Sequence, residues 1–251
     1  LRTKAIRDGD HYVINGSKRY ITNANKAQLF TTMARTDPDT PGGKGVSAFI
    51  VDRDTPGITV GKPEQKMGQQ GAHACDVIFE DVRVPAENMI GSEGEGFKVA
   101  MSVLDKGRLH ISAVATGASE RLIKEMVNYA MEREQFGKPI AQHQLIQAMM
   151  ADSQAETYAA RSMILDAARR RDAGENVTML ASSTKLFACE ATGRVADRAV
   201  QVFGGAGYIT DYGIERFYRD VRLFRLYEGT SQIQQIVIAR ELMKAAKADQ
   251  L

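Results

Sequence analysis

The segment Tyr227-Glu228-Gly229-Thr230 sets a carboxylate between an aromatic ring and a glycine, just before a run whose apolar residues recur at helical spacing. A carboxylate beside a bulky ring loses part of its hydration, which suits it to act as a general base. Gly229 leaves the backbone open to the approach of a flat substrate or cofactor. The competing local reading is an ordinary acid at a helix start, where the helix dipole favours negative charge. Tyr20 and Thr22 lie two apart, so on a strand they share a face and offer an aromatic plane and a hydroxyl donor. Plain strand surface would use the same residue types. Asp105 and Arg108 bracket Lys106-Gly107 at the i,i+3 spacing of a surface ion pair on a helix. Arg133 falls at a helix end, where a cation is favoured, and Phe136-Gly137-Lys138-Pro139 follow it. Gly204-Gly205-x-Gly207 reads, alone, as a helix terminator.

These residues need elements of two kinds to position them. Residues 1–92 read as β structure, with short runs at 29–34, 46–51 and 75–79 separated by Asp37-Pro38-Asp39 and Thr40-Pro41-Gly42-Gly43. Asn15-Gly16 between two β-rich runs predicts a hairpin turn. A small barrel or sandwich follows from several short strands with Gly/Pro turns. After Pro85 the period changes: Phe97, Ala100, Met101, Leu104 and then Ile111, Val114, Ala115, Ala118, Leu122 recur at helical steps. Further helices are expected near 142–172 and 178–203, after Tyr212, and from Thr230. Long helices with short loops give an antiparallel four-helix bundle over 93–251, so the fold class is α+β. No βαβ alternation points to a dinucleotide fold of the parallel-sheet type.

The 251 residues can bury a sizeable core. With 33 Lys+Arg against 31 Asp+Glu, the formal net charge of +2 excludes no enzyme class but argues against a nucleic-acid or anionic-membrane binder. Arg169-Arg170-Arg171 reads as a solvated helix face. Cys75 and Cys189 give no disulfide framework, and the four His residues form no metal-ligand pattern. No apolar run reaches the ~18 residues that would span a membrane.

Five segments resemble the acyl-CoA dehydrogenases, in that family's order: Arg19-Tyr20-Ile21-Thr22-Asn23-Ala24, Asp105-Lys106-Gly107-Arg108, Glu132-Arg133-x-x-Phe136-Gly137, Gln201-Val202-Phe203-Gly204-Gly205-x-Gly207 and Tyr227-Glu228-Gly229-Thr230-x-Gln232-Ile233-Gln234. The resemblance implies that Glu228 removes a proton from the carbon next to an acyl-CoA thioester while FAD accepts a hydride from the following carbon. It implies FAD contacts for Tyr20, Thr22, Arg133, Phe136, His143, Gln144, Thr230 and Gln232. Gln201, Gly204 and Gly205 would serve the FAD of a neighbouring subunit, hence a homo-oligomer built as a dimer of dimers. Asp105, Arg108, Tyr227 and Gly229 would line the acyl-CoA site. In some relatives the base sits at the position of Gly107, so Glu228 stands here as the single family-style base. Reduced flavin would pass its electrons to an electron-transfer flavoprotein. The compartment would be the cytoplasm of a bacterium or the mitochondrial matrix of a eukaryote. An acyl-CoA oxidase and a flavin-free helical binding module are the alternatives. The chain departs from the family pattern with Tyr20 where Trp is frequent, and with Gln70, Ala72 and Ala74 where a basic residue, Ser and Thr are frequent. It begins at Leu1, and the family carries an N-terminal helical domain ahead of this point.

Overall fold

The computed structural model describes residues 1–249. It divides into two compact units, Leu1–Val103 and Leu104–Leu251. The expected boundary at 92/93 lies earlier. The start of the long helix, Gly96–Val103, about two turns, belongs with the β unit, and Glu95 just before it bridges to Val46. The helix starts at Gly96, which sits against the backbone of Ser47 and Ala48.

The β unit is one seven-stranded sheet. Its strands are β1 (Lys4–Asp8), β2 (His11–Thr22), β3 (Leu29–Arg35), β4 (Val46–Asp52), β5 (Ile58–Val60), β6 (Ala74–Pro85) and β7 (Met89–Ile90), in the order β5-β6-β2-β1-β3-β4-β7. All pairings are antiparallel except β1 with β3. Alternate residues of β3 (Phe30, Thr32, Ala34) turn inward, as a sheet with one covered face requires. They join Tyr12, Ile14, Phe49, Val51, Val77, Phe79, Val82 and Val84 in the core. Burying each large side chain of this set contributes about 1.5–3 kcal/mol. The rings of Tyr12 and Phe49 meet at 5.0 Å, and the Tyr12 hydroxyl donates to Glu93 at 3.1 Å.

The hairpin expected at Asn15-Gly16 does not form. β2 runs straight through it, and the turn lies instead at Gly9-Asp10, between the paired Asp8 and His11. Asn15 spends its side chain on a bulge in β6, donating to Asp81 Oδ1 at 3.0 Å and accepting from Asp81 N at 2.9 Å. Gly16 is needed for close approach, with φ of 141° and an added Cβ only 2.8 Å from Thr3 Cα.

The helical unit contains most of α1 (Gly96–Glu132), then α2 (Gln144–Asp172), α3 (Thr178–Phe203), the short α4 (Gly205–Tyr208), α5 (Ile214–Val221) and α6 (Ser231–Lys247). These match the expected helices closely. Only residues 173–177 link α2 and α3, which pack together and so run antiparallel. α3 is central, packing on α2, α5 and α6. Its buried positions are mostly small (Ala181, Ala188, Ala191, Thr192, Ala196, Ala199), which lets neighbouring backbones come close. Leu122, Met126, Val195, Phe203, Ile214 and Phe224 fill the core between them. Ser119 donates to Thr192 Oγ1 at 2.9 Å, and Thr192 donates to the Ala115 carbonyl at 3.0 Å, tying α1 to α3. Glu156 on α2 accepts from Arg194 at 2.8 Å and Arg198 at 2.9 Å. Arg170 pairs with Asp166 and Glu175 on an exposed face, so the arginine run is solvated as expected. Both cysteines are buried and free, and burial pushes the Cys189 thiol up to about 11.

Gly16→Ala is expected to cost about 1–3 kcal/mol through backbone strain and the clash with Thr3. Denaturant titration of the protein measures it, and an unchanged midpoint would contradict the close-approach account.

Candidate active site

Glu228 lies between a 3-10 turn at Arg222–Arg225 and the start of α6. Its φ is 53°, left-handed for a residue with a side chain, and Gly229 follows at 84°. Such a conformation costs about 1–2 kcal/mol and persists only when surrounding contacts dictate it. Thr230 caps α6, its hydroxyl accepting from Ile233 N at 3.3 Å. Gln234, fully buried, donates to the carbonyls of Glu228 and Gly229 at 3.0 Å each. Lys185 of α3, also fully buried, donates to the Gly229 carbonyl at 2.8 Å. Burial pushes its ammonium below the usual lysine range, against the opposing pull of Cys189, Glu190 and Glu228. Ser231 and Arg225 both bind Glu190, at 2.6 and 3.1 Å. Burial raises the Glu190 carboxyl, but those two partners override it and hold it below the ordinary value.

The Glu228 carboxylate is half-buried, and no hydrogen bond or ion pair holds it among the described residues. It rests directly over Gly107 of α1, where an added Cβ would collide with Glu228 Oε2. A side chain at 107 would therefore make the Glu228 carboxylate move from the place it occupies. The contact also sets Glu228 beside the Asp105–Arg108 segment. Tyr227 stacks on Phe224 at 6.1 Å between ring centres.

Asp105 and Arg108 are not a solvated surface pair. Arg108 is 5% exposed and donates to Asp105 Oδ1 at 2.7 Å, while Thr178 donates to Asp105 Oδ2 at 2.7 Å. The pair ties α1 to the first turn of α3, and Arg108 Nε is buried without a partner.

A second cluster forms where α1 ends. Two short strands, Glu134–Gln135 and Lys138–Pro139, make a hairpin with Phe136 and Gly137 at its tip, at φ of 54° and 77°. Phe136 is 92% exposed, an unusual position for a bare aromatic ring. The His143 ring meets it edge-on at 5.8 Å and sits at 3.2 Å from the Gln135 carbonyl. His143 occupies the N-cap position of α2 without a side-chain capping bond, and Gln144 opens the helix. Phe136, His143 and Gln144 line an open cleft of about 760 Å³. The exposed Arg133 guanidinium has no hydrogen-bonding or ionic partner among the described residues. Tyr129, one turn before Arg133, stacks on Phe203 at 4.1 Å and 14°. Arg133 and the Gly204-Gly205 segment thus occupy the same end of the helical unit. Added Cβ atoms at Gly204 and Gly205 would meet nothing within 4 Å, so this backbone is open to an incoming molecule. Gln201 and Gln232 are exposed.

In the β unit, Tyr20 and Thr22 are both exposed. The simple two-residue alternation expected there fails. Lys18 pairs with Val77 and Ile21 with Cys75, so Arg19 and Tyr20 together oppose Asp76 in a bulge. Tyr20 takes φ of 57°, and the Arg19 guanidinium lies 5.0 Å from its ring centre. A bulge re-aims a side chain, so the aromatic face is presented by irregular backbone. The loop carrying Gln70 and Ala72 is closed by Lys66, which donates to the carbonyls of Gln69 and Ala72. His73 and Asn23 exchange backbone-centred bonds that fasten this loop to the end of β2.

A dinucleotide with a pyrophosphate and a flat ring calls for an unpaired guanidinium, open glycine backbone and exposed aromatic faces. Within the helical unit Arg133, Gly204-Gly205 and Phe136 supply them, so these residues fit FAD. Lys185 and Gln234 were not among the residues expected from sequence. Lys185 carries a signal in hindsight, since it falls on the buried stripe Ala181, Ser182, Lys185, Ala188, Cys189, Thr192, spaced at helical steps. Gln234 lies inside the recognised Glu228 segment.

Comparison with known proteins places the whole chain. The acyl-CoA dehydrogenase middle domain matches residues 1–82, and the acyl-CoA dehydrogenase C-terminal domain matches residues 94–243. A cyclohexane-1-carbonyl-CoA dehydrogenase of Geobacter metallireducens is 45% identical over 246 residues, 98% of this chain and 64% of the relative. The butyryl-CoA dehydrogenase structure from Megasphaera elsdenii superposes with a TM-score of 0.93 at 40% identity, over 96% of this chain and 63% of its own. A chain in the structure described as the electron transferring flavoprotein of Acidaminococcus fermentans also gives 0.93, at 42% identity, with 96% and 63% covered. This chain therefore spans just under two thirds of the relatives it matches. With residues 94–243 alone covering more than half of its length, the chain belongs to the acyl-CoA dehydrogenase family.

Proposed function

We propose that the full-length protein catalyses α,β-dehydrogenation of an acyl-CoA thioester to the trans-2-enoyl-CoA. The observation that carries this is the unpaired Glu228 carboxylate lying over Gly107, on a loop whose two carbonyls are held by buried donors. An α-proton of a thioester is weakly acidic, so removing it needs a positioned base and a donor for the developing enolate oxygen. Glu228 acts as the base, and by analogy with the family its own backbone N–H is the donor. When bound, FAD supplies the oxidant that takes the β-hydride. Arg133 would hold its pyrophosphate, a guanidinium being suited to phosphate oxygens, and Tyr20 and Thr22 would serve its ring. Gln201, Gly204 and Gly205 complete the cofactor site of a second copy, which makes the working protein a dimer of dimers. An electron-transfer flavoprotein is the electron acceptor, a reading supported by the likeness to the Acidaminococcus chain.

In the full-length protein, Glu228→Gln should keep its flavin and still bind thioester, but reduce the flavin ~10² to 10⁴ times more slowly, as loss of a positioned base dictates. Stopped-flow absorbance with acyl-CoA measures this, and a rate within a few-fold of wild type would remove Glu228 from the role. A colourless full-length protein would favour the flavin-free module instead. Gly107→Ala displaces the carboxylate without touching its chemistry and should slow the same step roughly 10²-fold. An unchanged rate would show that the Gly107 contact does not set the base. Light scattering of the full-length protein should give a tetrameric mass, and a monomer would contradict completion of the cofactor site by a second copy.

A further inference from the structure

Two of the largest fully buried side chains in the protein are polar, Lys185 and Gln234, and both are spent on the same short piece of backbone. A lysine with no exposed surface and, among the described residues, no carboxylate within ion-pair distance is costly to bury, so its contact calls for a reason. Among the described residues Lys185 makes a single hydrogen bond, to the Gly229 carbonyl at 2.8 Å. Gln234 places one nitrogen between the carbonyls of Glu228 and Gly229, and its Oε1 is left buried without a partner. Gly229 has no room for a side chain, since an added Cβ would sit 2.7 Å from Gln234 Nε2. The left-handed φ of Glu228 is the conformation that these contacts dictate together.

Fixing both carbonyls fixes the planes of the two peptides that follow Glu228, and with them the direction of its Cα–Cβ bond. That direction decides whether the carboxylate falls over Gly107. We infer that Lys185 and Gln234 are positioning residues for the base, acting through the Glu228–Gly229 backbone and touching neither substrate nor flavin. The inference rests on Glu228 being the base. A merely structural role would lower stability and leave the chemistry of each folded molecule unchanged. A positioning role alters the proton-transfer step itself.

The test uses the full-length holoenzyme carrying Lys185→Met, which keeps much of the volume and removes the donor. Flavin reduction by acyl-CoA should slow roughly 10- to 100-fold, the scale set by misplacing a catalytic group by about an ångström. The thioester dissociation constant should stay within about two-fold, because no binding group is lost. The α-deuterium isotope effect on reduction should rise as proton abstraction becomes more rate-limiting. In the Glu228→Gln background the same substitution should cost nothing further, since the group it positions is already gone. Hydrogen exchange of the peptide covering residues 226–232 should quicken in the variant. A rate within two-fold of wild type with an unchanged isotope effect overturns the inference, as does a full additional loss in the Glu228→Gln background. Gln234→Met gives the same readouts with Lys185 in place, so failure of one variant to fold leaves the test intact. A crystal structure of the wild-type holoenzyme with Lys185 Nζ beyond hydrogen-bond distance of the Gly229 oxygen also overturns it. If the wild type itself is not reduced by any acyl-CoA, the proposed function fails instead, and the two failures are distinct.

Discussion

The left-handed turn at Glu228 and Gly229 places two carbonyl oxygens against buried donors while the adjacent carboxylate lies over a glycine. Each part constrains the others. A side chain at 107 would fill the space of the carboxylate, and a side chain at 229 would displace Gln234. Loss of the Lys185 contact would leave the Gly229 carbonyl with Gln234 alone, whose nitrogen is shared with the Glu228 carbonyl. Helix α3 therefore has two tasks. Its small residues let neighbouring helices close around it, and Lys185 on the same buried stripe reaches the loop that carries Glu228.

The β unit solves a different problem by related means. Its long β2 strand passes a close contact at Gly16 and then a bulge at Arg19 and Tyr20. Regular pairing would have kept Tyr20 in strict alternation. The bulge gives it a positive φ and leaves its ring 64% exposed beside Arg19. Irregular backbone in both units thus falls at residues of the proposed site, Tyr20 and Glu228.

Much of this was legible in the residues alone. The change from strand to helix period after Pro85, the bounds of α2 and α3 within two residues, and the Glu228 segment all follow from local pattern and resemblance. What escaped was long-range. Asn15-Gly16 has turn chemistry, but its glycine answers to Thr3 and its asparagine to Asp81, neither of which a local window contains. Asp105 and Arg108 have surface-pair spacing, yet burial against Thr178 makes them a tie between helices. Lys185 lies more than forty residues from Glu228, and only packing reveals that its ammonium meets the Gly229 carbonyl.

The central claim is geometric: a carboxylate held over Gly107 is placed to take the α-proton of a bound thioester. The most direct measurement is a crystal structure of the full-length holoenzyme with an acyl-CoA analogue that cannot be dehydrogenated. The account predicts one Glu228 carboxylate oxygen about 3–3.5 Å from the α-carbon, the near-attack distance for transfer. A carboxylate turned away from that carbon, or a different acid nearer to it, would contradict the account.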